Sequence, residues 1–282
     1  MHIGKVGVVG AGTMGNGIAQ VCATAGLDVV MLDIDQDSLQ RGLNTVGQSL
    51  ERLVRKNQLS VADQESAIQR IKVTQSYVDM ADVDLVIEAA SELEKVKLTI
   101  LRTLADHVRD DAIIATNTSS MSITKLAAAS TLPNRVVGMH FFNPVPVMRL
   151  VELIRGLQTD ETTYISAKQF VQSINKNAIT VKNSAGFAVN RILVPMINEA
   201  VFVLQEGTAS ASDIDDGMRL GCNHVIGPLA LADLIGLDTL LSVMEMFYAS
   251  FGDSKYRPAP LLREMVEAGY LGRKSGRGFY SY

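Results

Sequence analysis

The first half of the chain alternates short apolar runs with longer stretches in which apolar residues recur at helical spacing. The apolar runs fall at 6–9, 27–32, 71–73, 83–87, 112–116 and 135–139. Runs of this length with few charges are typical of strands buried in a parallel sheet. Stretches such as 92–107 place apolar residues every three or four positions, as amphipathic helices do. The pattern therefore predicts an α/β fold with a doubly wound sheet.

A long polar interval separates the second predicted strand from the third. Its apolar positions recur three or four residues apart and predict one helix over 35–57: Leu39, Leu43, Val46, Leu50 and Leu53. Ser60 and Asp63 have the spacing of a capping box, which predicts that a second helix begins there. We therefore expect a helical pair inserted between strands two and three.

The second half of the chain changes character near residue 184. Apolar runs at 150–154 and 178–181 complete the predicted sheet, and their short connections suggest that some of these strands are antiparallel. Beyond 187 only helical patterns occur, including one helix capped by Ser212 with Asp215 and another from Pro228 to about 251. The sequence therefore predicts two domains, 1–183 and an all-α domain over 184–282.

The helices of the second domain are unusually apolar, notably over 192–203 and 229–241. A plain interpretation is a helical core that packs against the sheet domain. The alternative, which we favour, is that the same helices form the interface of a homodimer.

Composition excludes several classes of function. The chain has 282 residues, of which 47% are hydrophobic and 20% charged, with a net charge of −4. This balance gives no electrostatic reason to expect nucleic acid or a membrane surface as a partner. Cys22 and Cys222 lack the spacing of metal or redox sites, so we expect two buried thiols and no metal. With no leader and no apolar run of ~18 residues, the expected location is the cytoplasm.

A glycine-rich motif follows the first predicted strand directly and opens a helix. It comprises Gly10, Ala11, Gly12, Thr13, Met14 and Gly15. In such a fingerprint Gly10 makes the tight turn, Gly12 lets a pyrophosphate approach the backbone, and Gly15 lets helix and strand pack closely. The second strand ends at Asp33, whose carboxylate suits a ribose 2′-hydroxyl and repels a 2′-phosphate. Together these features predict a Rossmann-type domain that binds NAD.

Polar clusters at 88–92, 117–120 and 140–143 follow three predicted strands, where ligands of doubly wound sheets bind. His140 follows the strand over 135–139, and Glu152 lies twelve residues further on, inside the next strand. A lone histidine at a strand end is more often structural than catalytic. A carboxylate beside it, however, fixes the imidazole tautomer and suits acid–base chemistry on an alcohol/ketone pair. Ser119 and Asn190 could hold the substrate oxygen, although residue type alone does not select them.

Several motifs together closely resemble those of the (S)-3-hydroxyacyl-CoA dehydrogenases. They are G-A-G-T-M-G, N-T-S-S, G-M-H-F-F-N-P-V-P-V-M-R-L-V-E, G-F-A-V-N-R and a terminal G-x-G-F-Y. The resemblance covers essentially the whole chain and is greatest to the short, single-function bacterial members. It implies a catalytic pair of His140 with Glu152, and substrate contacts from Ser119 and Asn190.

The resemblance also implies ligands that spacing does not reveal. It implies NAD contacts at Glu92, Lys97, Asn117, Asn143 and Lys274. Arg52 and Lys56, which by themselves indicate only a solvated basic helix face, are implied to bind the phosphates of coenzyme A. Asn16 stands where the family usually has alanine, which could alter cofactor affinity.

The implied activity is reversible, NAD-dependent interconversion of short-chain 3-hydroxyacyl-CoA and 3-ketoacyl-CoA, such as 3-hydroxybutyryl-CoA and acetoacetyl-CoA. One alternative is a dehydrogenase of a free hydroxy acid such as gulonate, on the same scaffold but without need of Arg52 and Lys56. Another is an NAD-binding protein without turnover, which would have no use for the four residues Ser119, His140, Glu152 and Asn190.

Overall fold

One eight-stranded sheet organises the first of two compact units in the computed structural model, which describes residues 2–282. The first unit ends at Ser184 and the second comprises Ala185–Tyr282. The strands are β1 (Lys5–Val9), β2 (Asp28–Leu32), β3 (Ile71–Thr74), β4 (Leu85–Glu88), β5 (Ile113–Thr116), β6 (Val136–Phe141), β7 (Leu150–Arg155) and β8 (Asn177–Lys182). The helices of this unit are α1 (Thr13–Thr24), α2 (Gln36–Arg55), α3 (Val61–Gln69), α4 (Glu94–His107), α5 (Ile123–Ala127) and α6 (Glu161–Ser173).

The strand order is β3-β2-β1-β4-β5-β6-β7-β8, which confirms the predicted doubly wound sheet. All neighbouring strands are parallel except β6 and β7, which pair antiparallel as their short connection indicated. Every residue of β4, β5 and β6 is buried, which agrees with their largely apolar sequences. The carboxyl ends of β1, β4 and β5 therefore lie side by side at one edge of the sheet.

The predicted helical pair is present between β2 and β3 as α2 and α3. Asp35 caps α2 by accepting from the backbone N–H groups of Asp37 and Ser38, and Ser60 caps α3 by accepting from the Asp63 N–H at 3.0 Å. The buried side of α2 includes Leu39 and Leu50, as the spacing predicted.

The second unit consists of helices around its own apolar core. They are α7 (Val189–Gln205), α8 (Ala211–Cys222), α9 (Pro228–Ile235), α10 (Leu237–Phe251) and α11 (Pro260–Glu267). Its core includes Ile197, Leu229, Leu240 and Phe247, all of them buried. No helix within residues 2–282 is both long and apolar enough to cross a membrane.

The predicted cap of α8 by Ser212 and Asp215 is wrong. Ser210 caps this helix, because its hydroxyl accepts from the Asp213 N–H at 3.2 Å. Asp215 is buried instead and accepts from the N–H groups of Leu229 and Ala230 at 2.8 and 2.9 Å. Its carboxylate thus satisfies the start of α9, a contact that spacing within α8 cannot reveal.

Two further expectations are corrected. The single helix predicted over 228–251 is divided into α9 and α10 at Gly236, whose φ of +102° is incompatible with a continuous α-helix. Cys222 is exposed rather than buried, because it occupies the last turn of α8, whereas Cys22 lies in the core. Burial raises the pKa of the Cys22 thiol to about 12.

Candidate active site

The glycine turn between β1 and α1 is built from three glycines in different ways. Gly10 has a φ of +102°, and a Cβ there would lie 2.7 Å from the carbonyl oxygen of Ala89. A Cβ on Gly15 would overlap the carbonyl oxygen of Gly10. A Cβ on Gly12, by contrast, would meet nothing within 4 Å. The outer two glycines are therefore needed by the fold, whereas the middle one leaves space for a ligand.

The surroundings of this turn fit a dinucleotide. Helix α1 begins without a side-chain cap, so its first N–H groups and its positive end face the open space beside Gly12. A cleft of about 700 Å³ runs from here past the end of β2 and is lined by Gly10, Gly12, Asp33, Ile34, Tyr77 and Val96. Asp33 Oδ2 accepts from the Ala11 N–H at 2.8 Å, which fixes the carboxylate at the cleft. The backbone donors, the acidic group and the volume match the demands of NAD.

Glu88 and Lys97 form a buried ion pair at the end of β4, with exposed side-chain fractions of 0% and 1%. Lys97 Nζ lies 2.8 Å from one oxygen of Glu88 and 3.0 Å from the other. It also lies 3.2 Å from Glu92 Oε2, and the Thr116 hydroxyl donates to Glu88 at 2.7 Å. The Lys97 ammonium is thus paired with two carboxylates, and through this contact it orients Glu92.

Glu92 in turn holds the loop that carries Ser119. Its Oε1 accepts from the Ser119 N–H at 2.9 Å and from the Ser120 hydroxyl at 3.0 Å. Burial opposes ionisation, but the Lys97 ammonium and the donors of Thr118 and Ser119 keep the pKa of the Glu92 carboxyl below its ordinary value. The chain Glu88–Lys97–Glu92 therefore fixes Ser119 at the carboxyl edge of the sheet.

His140 and Glu152 face each other across β6 and β7 as directly paired residues. Strand β6 extends to Phe141, so His140 lies inside the strand rather than after it as predicted. Its Nδ1 is 2.8 Å from Glu152 Oε2, and the two residues are 6% and 0% exposed. This contact fixes the tautomer, so that Nε2 is the nitrogen at which His140 would exchange a proton with a substrate.

Asn117 lies beside this pair. Its Oδ1 accepts from the Phe141 N–H at 2.8 Å, which ties the loop after β5 to the end of β6. The structure thus brings Glu92, Ser119, Asn117 and His140 to neighbouring positions along one edge of the sheet.

A second groove, of about 350 Å³, lies between α1, α2 and the loop that follows β6. Arg52 and Lys56 line it, and both are exposed. Neither has an ion pair within residues 2–282, so both charges are available to an anion. Asn143 lies on the opposite wall. The groove therefore gathers two predicted substrate residues and one predicted cofactor residue.

The remaining predicted site residues belong to the second unit. Asn190 lies in the first turn of α7. Lys274 Nζ donates to Asp238 Oδ2 at 2.7 Å. The roles assigned to them, substrate contact and NAD contact, stay predictions.

The comparison with known proteins decides the family. The model of the 3-hydroxyacyl-CoA dehydrogenase NAD-binding domain matches residues 5–184, and that of the C-terminal domain of the same enzymes matches residues 186–282. The chain belongs to the 3-hydroxyacyl-CoA dehydrogenase family. Its first unit is therefore the NAD-binding domain of such a dehydrogenase.

Relatives of this 3-hydroxyacyl-CoA dehydrogenase match over nearly their full length. A 3-hydroxybutyryl-CoA dehydrogenase of Bradyrhizobium diazoefficiens is 51% identical over 99% of this chain and 96% of its own. A probable 3-hydroxybutyryl-CoA dehydrogenase of Bacillus subtilis is 48% identical over 100% and 98%. The crystal structure of (S)-3-hydroxybutyryl-CoA dehydrogenase PaaH1 from Ralstonia eutropha superposes with a TM-score of 0.98 at 60% identity, covering 100% of this chain and 99% of that one.

Sequence reasoning did not single out Glu88 in this dehydrogenase, although the residue is central to the buried network. The available signal was an acidic residue at the end of the otherwise apolar strand 85–88, followed nine positions later by Lys97. A charge at such a position needs a buried partner, and that requirement could have revealed the pair.

Proposed function

We propose that the protein is an NAD-dependent (S)-3-hydroxybutyryl-CoA dehydrogenase that interconverts this short-chain substrate with acetoacetyl-CoA. The observation that carries the proposal is the buried His140–Glu152 pair, 2.8 Å apart, on the same sheet as the dinucleotide cleft. An imidazole with a fixed carboxylate partner is the acid–base group that an alcohol/ketone interconversion requires. The names of the full-length relatives supply the substrate class.

The residues expected to hold NAD are those of the glycine turn, with Asp33 for the ribose, together with Glu92 and Asn117 at the carboxyl edge of the sheet. The bound cofactor supplies the hydride acceptor for oxidation and the hydride donor for reduction. The chain's own contribution is to bind the phosphates at the start of α1 and to hold Ser119 beside the reacting groups through Glu92.

His140 moves the proton. In oxidation, Nε2 of the neutral imidazole accepts the proton of the 3-hydroxyl group. In reduction, the imidazolium donates a proton from Nε2 to the ketone oxygen, and Ser119 holds that oxygen by a hydrogen bond while charge develops on it. Glu152, buried against Nδ1, stabilises the imidazolium in both directions.

Arg52 and Lys56 are expected to bind the phosphates of coenzyme A in the second groove. Arg52 lies in the last turn of α2 and Lys56 follows the helix directly, so that two cations without an ion pair in residues 2–282 form a ready anion site. We further propose that the enzyme works in the cytoplasm as a homodimer formed by the second unit. Ile192 on α7 is 72% exposed and Leu234 on α9 is 54% exposed. Burial of these apolar side chains against a second copy would stabilise a dimer, whereas their exposure does not stabilise a monomer.

The decisive assay follows NADH absorbance with acetoacetyl-CoA and with free acetoacetate. Oxidation of NADH with the thioester alone supports the proposal, activity on the free acid favours a hydroxy-acid dehydrogenase, and no activity with either rejects both.

Replacing Arg52 and Lys56 by Ala should raise KM for acetoacetyl-CoA without changing NADH affinity. Arg55→Ala is the matched control, because Arg55 on the same helix pairs with Glu51 at 2.6 Å.

A further inference from the structure

The loop between β6 and β7 forms one wall of the second groove. It begins two residues after His140, and its residues 143–147 lie opposite Arg52 and Lys56. Val147 is 70% exposed, so this wall of the groove reaches solvent at Val147. The position of the loop therefore sets the width of the groove.

Lys176 reaches this loop from the residue that precedes β8. Its Nζ donates to the carbonyl oxygen of Val145 at 2.6 Å and to that of Met148 at 2.7 Å. Lys176 is only 7% exposed and has no ion pair within residues 2–282. A buried cation without a counter-ion costs free energy of folding, and its two charge-assisted bonds to carbonyl groups offset that cost. The same two bonds fix the carbonyl groups of Val145 and Met148 relative to the start of β8.

Val145 is also held from the opposite side. It is 1% exposed, and its Cβ lies so close to α1 that a Cβ on Gly17 would be only 2.9 Å away. The loop is thus pressed against α1 at Val145 while its carbonyl groups are bound by the ammonium. Neither contact belongs to the glycine turn or to the His140–Glu152 pair.

We propose that Lys176 is a positioning residue for substrate binding: by holding the carbonyl groups of Val145 and Met148, it keeps the loop wall of the second groove at a fixed distance from Arg52 and Lys56. The inference rests on the proposed function, in which this groove receives the phosphorylated part of an acyl-CoA. The inference predicts that loss of Lys176 affects one part of substrate binding only. Loss of the lysine should impair binding of the carrier portion of the substrate and leave the chemical step and the dinucleotide site unchanged.

The test is Lys176→Met, which keeps the length of the side chain and removes the donors. We expect KM for acetoacetyl-CoA to rise at least threefold, with unchanged kcat and unchanged NADH Kd. KM for the N-acetylcysteamine thioester of acetoacetate, which lacks the phosphorylated part, should stay as in the wild type. Lys168→Met is the matched control, because Lys168 is exposed on α6 of the same unit.

Hydrogen exchange supplies a readout of the loop itself. The N–H groups of Val147 and Met148 both donate to the Pro144 carbonyl oxygen at 3.0 Å, and they should exchange faster in Lys176→Met than in the control. If Lys176→Met does not fold, Lys176→Gln, whose shorter side chain carries a neutral donor, should give the same selective rise in KM.

An unchanged KM for acetoacetyl-CoA, or an equal rise for both thioesters, would overturn the proposal. Failure of the proposed function gives a different result. In that case the wild-type protein itself does not oxidise NADH with acetoacetyl-CoA, whereas the exchange comparison still reports whether Lys176 holds the loop.

Discussion

Replacing Glu152 by Gln is the sharpest test of the proposed acid–base pair. The amide keeps the size of the side chain and an oxygen that can accept from Nδ1 of His140, but it removes the negative charge 2.8 Å from the ring. Because Glu152 is fully buried, water does not screen the lost interaction with an imidazolium. A hydrogen bond to a charged group contributes about 1.5–3 kcal/mol and a neutral one about 0.5–1.5 kcal/mol, so the substitution removes about 1–1.5 kcal/mol. That difference corresponds to a loss of roughly 5- to 13-fold in kcat for reduction of acetoacetyl-CoA.

The assay is NADH oxidation at saturating concentrations of both substrates, with NADH Kd and thermal stability measured in parallel. Glu161→Gln is the control, since Glu161 makes an exposed pair with Arg155 at 2.6 Å, and exposed pairs contribute little. His140→Ala should lose about 10²–10⁴-fold in kcat and still bind NADH. Adding Glu152→Gln to His140→Ala should cause no further loss, because Glu152 acts through the imidazole. A full additional loss in the double variant, or wild-type kcat in Glu152→Gln, would refute the assignment.

Three further predictions concern residues of the first unit. Asp33, fixed at the cleft by the Ala11 N–H, should make kcat/KM much higher with NADH than with NADPH, and equal values would contradict its ribose role. Gly12→Val should weaken NADH binding at unchanged Tm, because the added side chain enters space that is open in the protein. Gly15→Ala should instead lower Tm by several degrees, since overpacking costs about 1–3 kcal/mol. The reverse pattern would contradict the roles of the two glycines. Although burial opposes it, bonds from Thr163 and other donors lower the pKa of Asp160 from 3.8 to about 2. Because solvent reaches this partly exposed carboxylate and weakens its interactions, the cap should add about 1 kcal/mol of stability above pH 4. This contribution should be lost as pH falls toward 2, and acid titration of Asp160→Asn should lack it.

The sheet and the glycine turn were predictable because their signals are local. Runs of buried residues, the spacing of Gly10, Gly12 and Gly15, and the acidic residue at the end of β2 each reflect a constraint within about 30 residues. The extent of β6 was not predictable in the same way. The sequence pattern places His140 just after an apolar strand. The strand in fact continues through His140, because this residue pairs with Glu152 of β7.

Two predictions about helices of the second unit were wrong, for different physical reasons. Ser212 and Asp215 have the spacing of a cap, yet Asp215 accepts from N–H groups fourteen and fifteen positions away. The hydroxyl that caps the start of α8 belongs to Ser210 instead of Ser212. The break between α9 and α10 depends on one residue, Gly236, whose backbone conformation sequence pattern does not reveal. A contact distant in sequence thus decides the position of Asp215, whereas the break at Gly236 is a local choice of backbone conformation that glycine permits.

The antiparallel register of β6 and β7 has a consequence for how such an enzyme can diversify. The His140–Glu152 distance is fixed by backbone pairing on both sides of the pair, Met139 with Leu153 and Phe141 with Val151. It does not depend on the conformation of the loop that connects the two strands. Insertions or substitutions in that loop can therefore reshape the second groove while the sheet keeps the geometry of the His140–Glu152 pair. Under the proposed function, specificity and chemistry are therefore separable, and new substrates can be acquired without re-evolving the reaction.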